Sequence, residues 1–83
     1  MATFAIISRP GCNYCDRAKQ LFEDNGLDYV EIGLTEALMP FFKALELRTV
    51  PQIWLGTTYI GGHDDLVEYL AFSAQNTLEV HHG

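Results

Sequence analysis

The sequence predicts an α/β sandwich in the order β-α-β-α-β-β-α, with one sheet and helices on both of its faces. Three observations predict it. Short apolar runs bounded by turn residues mark strands, segments with apolar residues at helical spacing mark helices, and a glycine-containing turn joins two strand-like runs. The 83 residues leave room for one domain, residues 1–83.

The elements follow in order. Phe4-Ala5-Ile6-Ile7 is continuously apolar and ends at Ser8-Arg9-Pro10-Gly11, as a strand buried on both faces does. From about Asn13 to Asn25 the period changes: Ala18, Leu21 and Phe22 fall at i, i+3 and i+4 while polar residues take the other positions. That is an amphipathic helix, stopped by Asn25-Gly26. Tyr29-Val30-Glu31-Ile32 is a second strand, between Asp28 and Gly33. Leu38, Phe41, Phe42 and Leu45 belong to another helix, with Thr35 to Met39 as a loose entry. Its regular part is set at about Pro40 to Leu47, because proline is tolerated in a first turn and costly further in.

Gln52-Ile53-Trp54-Leu55, Gly56-Thr57-Thr58 and Tyr59-Ile60 read as a hairpin, with Trp54 expected to pack on Phe41 or Phe42. Gly61-Gly62 ends it. Asp64 and Asp65 open the last helix, which carries Leu66, Tyr69 and Leu70. From about Gln75 the sequence turns polar, and residues 76–83 are expected to fray. A right-handed βαβ crossover and a hairpin in one sheet complete the sandwich.

Hydrophobic residues make up 48% and charged residues 19%, a balance that excludes disorder. Five Lys and Arg against 11 Asp and Glu give a net charge of −6, and no basic stripe reverses that sign locally. Nucleic-acid partners are excluded on that ground. No apolar run approaches the roughly 18 residues that cross a bilayer, and the first eight residues lack the basic start of a secretory leader. The expectation is a cytoplasmic monomer with no membrane partner.

The two cysteines, Cys12 and Cys15, carry the chemistry. A disulfide closing so short a ring constrains the unfolded chain by only about 2 kcal/mol, which makes a poor staple. Cys12 sits where a strand ends and a helix begins, so unpaired N–H groups and the positive helix end face its sulfur. A thiol attacks as its thiolate, and those groups favour the thiolate, with Arg9 adding a cation and Asp16 opposing it. One helical turn separates the two Cα atoms by about 5–6 Å, the span of a disulfide. Cys12 is therefore placed to attack and Cys15 to resolve. The other readings are a structural pair and a zinc site, which would have to draw on His63, His81 and His82.

Three motifs resemble those of a known family. They are Arg9-Pro10-Gly11-Cys12-Asn13-Tyr14-Cys15, Thr49-Val50-Pro51-Gln52-Ile53, and Tyr59-Ile60-Gly61-Gly62-His63-Asp64-Asp65-Leu66. In this order and at this spacing they resemble the two-cysteine glutaredoxins, over about residues 3–72. The resemblance implies a thioredoxin fold, a four-stranded mixed sheet with three helices, and a cis peptide bond before Pro51. It implies glutathione as co-substrate, bound by Arg9, Tyr14, Thr49, Val50, Pro51, Gly62, His63 and Asp64, with Cys12 and Cys15 catalytic. Val50 offers its backbone to an extended ligand as an added strand. The backbone N–H groups around His63 take a carboxylate, and Asp64 takes the amine.

Three departures from the family stand out. Asn13 replaces the usual proline of the cysteine motif, and His63 stands where Ser or Cys is usual. The stretch Thr35 to Pro40 lacks the basic or amide residue that grips glutathione, for which Arg48 or Lys43 can substitute. The resemblance implies reduction of protein disulfides and glutathionylated proteins. It leaves two alternatives: a small electron donor, for example to ribonucleotide reductase, recharged by a thioredoxin reductase, and a [2Fe–2S] carrier with Cys12 and glutathione as ligands. Otherwise no metal is expected.

Overall fold

A computed structural model describes residues 3–82, with side chains through residue 73. The order is β1 (Phe4–Ser8), α1 (Asn13–Asp24), β2 (Tyr29–Gly33), a 3-10 turn (Glu36–Leu38) leading into α2 (Met39–Ala44), β3 (Gln52–Leu55), β4 (Thr58–Gly61) and α3 (His63–His82). The strands lie in the order β2-β1-β3-β4. β1 runs parallel to β2 and antiparallel to β3, and β4 returns antiparallel to β3. This is the four-stranded mixed sheet with three helices of the thioredoxin fold.

One face of the sheet carries the main core. Phe4, Ile6 and Ile53 meet Ala18 and Phe22 of α1 and Leu66 of α3, all buried. Ile7 points to the other face by strand alternation and is buried too. β1 is thus covered on both sides, as its unbroken apolar run requires.

The ends of the helices follow local chemistry. The Asn25 side-chain amide donates to the Leu21 carbonyl at 2.7 Å, and Gly26 N–H closes on Glu23, so α1 stops where Asn25-Gly26 predicts. Pro40 sits in the first turn of α2. That helix ends at Ala44, short of the expected Leu47, because Glu46 turns left-handed at φ 58°. Leu47 N–H then bonds back to the Phe42 carbonyl at 2.9 Å, a C-terminal closure that stops the helix.

The β3–β4 hairpin turns at Gly56, whose φ of 59° suits glycine. Trp54 meets the Tyr59 ring of the neighbouring strand, with centroids 5.3 Å apart. Among the described residues this replaces the expected ring contact with α2, where Phe42 is buried and Phe41 is half exposed. The backbone of α3 continues past Gln75, where the sequence places a frayed tail; the side chains of residues 74–82 lie outside the described ones. No helix among the described residues is long and apolar enough to cross a membrane.

A polar tie joins β1, β2 and α1 beneath the Arg9–Gly11 loop. Ser8 Oγ donates to Glu31 Oε2 at 2.5 Å, and Lys19 Nζ donates to the same oxygen at 3.0 Å. The Ser8 hydroxyl first, and the lysine next, hold the Glu31 carboxyl below the usual carboxylate range. A lowered carboxyl pKa contributes stability that is complete above the unfolded value, near pH 4–5, and lost as pH falls toward the folded value. Glu31→Gln should therefore show a smaller drop in urea midpoint between pH 7 and about pH 3.5 than the parent. An identical drop in the two proteins would refute the coupling.

Candidate active site

The end of β1 delivers Pro10-Gly11 as a turn, and Cys12 follows as the N-cap residue of α1 with extended dihedrals (φ −96°, ψ 106°). Its sulfur accepts the backbone N–H of Cys15 at 3.1 Å. A sulfur thus does what a Ser or Asp oxygen does at an ordinary cap, taking one of the unpaired amides of the first turn. Cys12 and Cys15 are joined as a disulfide with Cα atoms 5.2 Å apart. Cys12 is half-buried, whereas Cys15 is 1% exposed and lies under it.

Across from the sulfurs runs the loop before β3. The Val50–Pro51 bond is cis, as the resemblance implies. The Val50 carbonyl oxygen lies 3.8 Å from Cys12 Sγ. Gln52, 5% exposed, fastens this loop from below: its side-chain amide donates to the Thr49 carbonyl at 2.8 Å. Tyr59 in turn donates its hydroxyl to the Gln52 carbonyl oxygen. Burial first, and then Asp65, raise the Tyr59 pKa, which keeps the phenol protonated and able to donate.

The start of α3 forms the opposite wall. Asp65 reaches back to accept the Gly62 N–H at 3.0 Å, the reciprocal half of a capping box. Capping therefore falls to Asp65, and Asp64 projects outward, its side chain 95% exposed with one oxygen 2.9 Å from His63 Nδ1. The His63 ring lies 5.5 Å from that of Tyr14. Arg17 stands over the Tyr14 ring at 5.2 Å, which holds the tyrosine at the rim.

Two adjoining clefts gather the residues singled out from the sequence. Tyr14, Thr49, Val50, Pro51, Gly62, His63 and Asp64 line the first, together with Asp65. Arg9, Cys12, Tyr14, Thr49 and Val50 line the second, together with Gly11, Asn13 and Arg48. Tyr14, Thr49 and Val50 belong to both, so the clefts form one surface running past Cys12. Arg9 does not reach the first cleft, and Cys15 reaches neither. Of the two substitutes for the missing cation, Arg48 lines the cysteine cleft and Lys43 does not.

The sequence gives Gln52 a strand position and a place in the second motif but no bonding role, although an amide between Pro51 and an apolar strand is a sign of a buried polar tie. The sequence offers Asp64 and Asp65 alike for the start of the last helix, and the structure gives the cap to Asp65. No group of three or more His, Cys, Asp and Glu side chains that could hold a metal occurs among the described residues. His81 and His82, named for a zinc site, lie outside the described side chains.

A half-buried sulfur at a helix start, with a second thiol one turn beneath it and a backbone edge alongside, is equipped for disulfide exchange. The class is a thiol–disulfide oxidoreductase of the thioredoxin fold. Likeness to known proteins narrows it. The glutaredoxin family model matches residues 4–60. The chain is 42% identical over 69 residues to a glutaredoxin of Pseudomonas aeruginosa, covering 80% of this chain and 82% of that one. It is 44% identical over 71 residues to the hybrid peroxiredoxin hyPrx5 of Haemophilus influenzae, covering 83% of this chain but only 30% of that protein. The solved buckwheat glutaredoxin–glutathione complex superposes with a TM-score of 0.74 at 28% identity, covering 87% of this chain and 71% of that one. The chain belongs to the glutaredoxin family.

Proposed function

We propose that this glutaredoxin is a glutathione-dependent reductase of protein disulfides and glutathionylated proteins, acting as a monomer in the cytoplasm. The observation that carries the reading is the Cys12 sulfur at the N-cap, accepting the Cys15 N–H at 3.1 Å, with the Val50 carbonyl 3.8 Å away. In the reduced protein the same amide and the helix dipole favour the Cys12 thiolate.

The Cys12 thiolate attacks the glutathione sulfur of a glutathionylated protein, and the protein thiol leaves as a thiolate that takes up a proton. A second glutathione thiolate attacks the resulting Cys12–glutathione disulfide, releases oxidised glutathione and restores Cys12. With a protein disulfide, Cys12 first forms a mixed disulfide with the substrate. Cys15 then displaces the substrate thiolate and leaves Cys12–Cys15 oxidised, and two glutathione molecules reduce that pair.

The charges along the cleft suit glutathione. Backbone N–H groups at the start of α3 suit its γ-glutamyl carboxylate, and exposed Asp64 suits its ammonium. Arg9 and Arg48, at the other end, suit the glycine carboxylate. The first cleft holds about 420 Å³, within the range on the order of 300–1,000 Å³ of small-molecule sites. Ribonucleotide reductase is among the disulfide-bearing substrates this reading allows.

Titration of glutathione into the oxidised protein, with the Cys12–Cys15 disulfide followed by thiol labelling, tests the reading. Reduction at millimolar glutathione is expected. Reduction by NADPH and a thioredoxin reductase, with no response to glutathione, would assign the protein to electron donors of the other kind. The Gln52 tie gives a second expectation. Gln52→Leu should raise the KM for a glutathione mixed disulfide about three- to tenfold by loosening Thr49 and Val50. The rate of Cys12 alkylation by iodoacetamide should stay unchanged, and an unaltered KM would show that the tie does not position the substrate edge.

A further inference from the structure

Cations are scarce in this chain and unevenly used. Of the five Lys and Arg residues, Lys19 is paired with Asp16 and Glu31, and Arg17 stands over Tyr14. Arg9, Lys43 and Arg48 are exposed and make no ion pair among the described residues, although 11 acidic residues surround them in the sequence. They are not scattered. Arg9 and Arg48 line the Cys12 cleft, and Arg48 with Lys43 lines the next cleft along, which Glu46 and Leu47 complete. A cationic track therefore leads away from the dithiol through clefts that Asp64 and Asp65 do not line.

We infer that this track is a docking surface for protein substrates, and that it takes an acidic residue placed just C-terminal to the cysteine under attack. The direction rests on the proposed glutathione reading. There the ammonium, at the N-terminal end of the tripeptide, goes to Asp64 and the C-terminal carboxylate to Arg9 and Arg48. A substrate chain laid beside Val50 in the same sense sends its C-terminal flank over Arg48 toward Lys43. Glutathione ends at Arg48, so Lys43 touches only a longer chain. On a protein of net charge −6, acidic surfaces are repelled except along such a track, so its cations give selectivity as well as attraction.

Two blocked pentapeptides that are sequence isomers, each with a central cysteine, test this as symmetric disulfides. One carries Glu after the cysteine, the other before it. The parent protein is expected to reduce the first with a kcat/KM about three- to tenfold higher, the effect of one or two exposed ion pairs. The ratio should shrink at about 0.5 M salt. Lys43→Glu should abolish or invert the ratio while leaving turnover of bis(2-hydroxyethyl) disulfide with glutathione unchanged. Equal rates for the two isomers, preference for Glu before the cysteine, or a ratio untouched by Lys43→Glu would overturn the inference. Failure of the parent to turn over the hydroxyethyl disulfide with glutathione would instead overturn the glutathione reading beneath it.

Discussion

Cys12→Ser is expected to lose disulfide-reducing activity by about a thousandfold or more, because it removes the only sulfur among the described residues that reaches the cleft. A serine at this position caps the helix as well as the cysteine did, so the variant should fold. Cys15→Ser should behave differently. It leaves Cys12 capped and in the open, and with glutathione to resolve the intermediate it should keep most of its turnover of a glutathione mixed disulfide. Its reduction of protein disulfides should fall sharply, since no neighbouring thiol remains to release the trapped substrate. The measurement is steady-state turnover on both substrate types, with mass spectrometry of the trapped species. Retained activity in Cys12→Ser alongside loss in Cys15→Ser on the glutathione substrate would reverse the roles and with them the mechanism.

Gly61→Ala is expected to cost about 1–3 kcal/mol of stability. The φ of Gly61 is 121°, where L side chains rarely sit. An added Cβ would also lie 2.7 Å from the Asp65 carboxyl carbon. The methyl group would push away the carboxylate that caps Gly62 N–H and so disturb the start of α3. Urea unfolding gives the loss as a lower midpoint at constant slope. A double-mutant cycle with Asp65→Gly separates the two causes, since glycine removes the Asp65 Cβ (2.9 Å from the added methyl) as well as its carboxylate and so only the clash disappears. A loss no smaller in the Asp65→Gly background would mean that backbone strain alone is responsible.

Much of this molecule is legible in its sequence, for identifiable reasons. The apolar run of β1, the 3.6-residue period of α1 and the Asn25-Gly26 stop are local signals, and local signals decide those elements. The Cys12 cap is legible too, because a strand running into a helix places the first cysteine at the helix start whatever surrounds it. The early end of α2 is not. It depends on Glu46 adopting a left-handed conformation that its residue type does not announce. The contact of Trp54 with Tyr59 is not legible either, because it is the register of the sheet that brings the two rings together. The division of labour between Asp64 and Asp65 is a matter of one residue's phase on a helix, which the sequence leaves open. Arg48 was one of two candidate cations in the sequence, and only the fold of the loop before β3 decides between it and Lys43.

The bond from the Cys15 amide to the Cys12 sulfur has a consequence for electron flow. A negatively charged sulfur accepts that bond more strongly than a sulfur shared in a disulfide. The start of α1 is therefore steadier when the pair holds its two electrons than when it has given them up. By linkage, the same preference leaves the oxidised protein the better electron acceptor, inclined to draw on a thiol pool rather than to supply it.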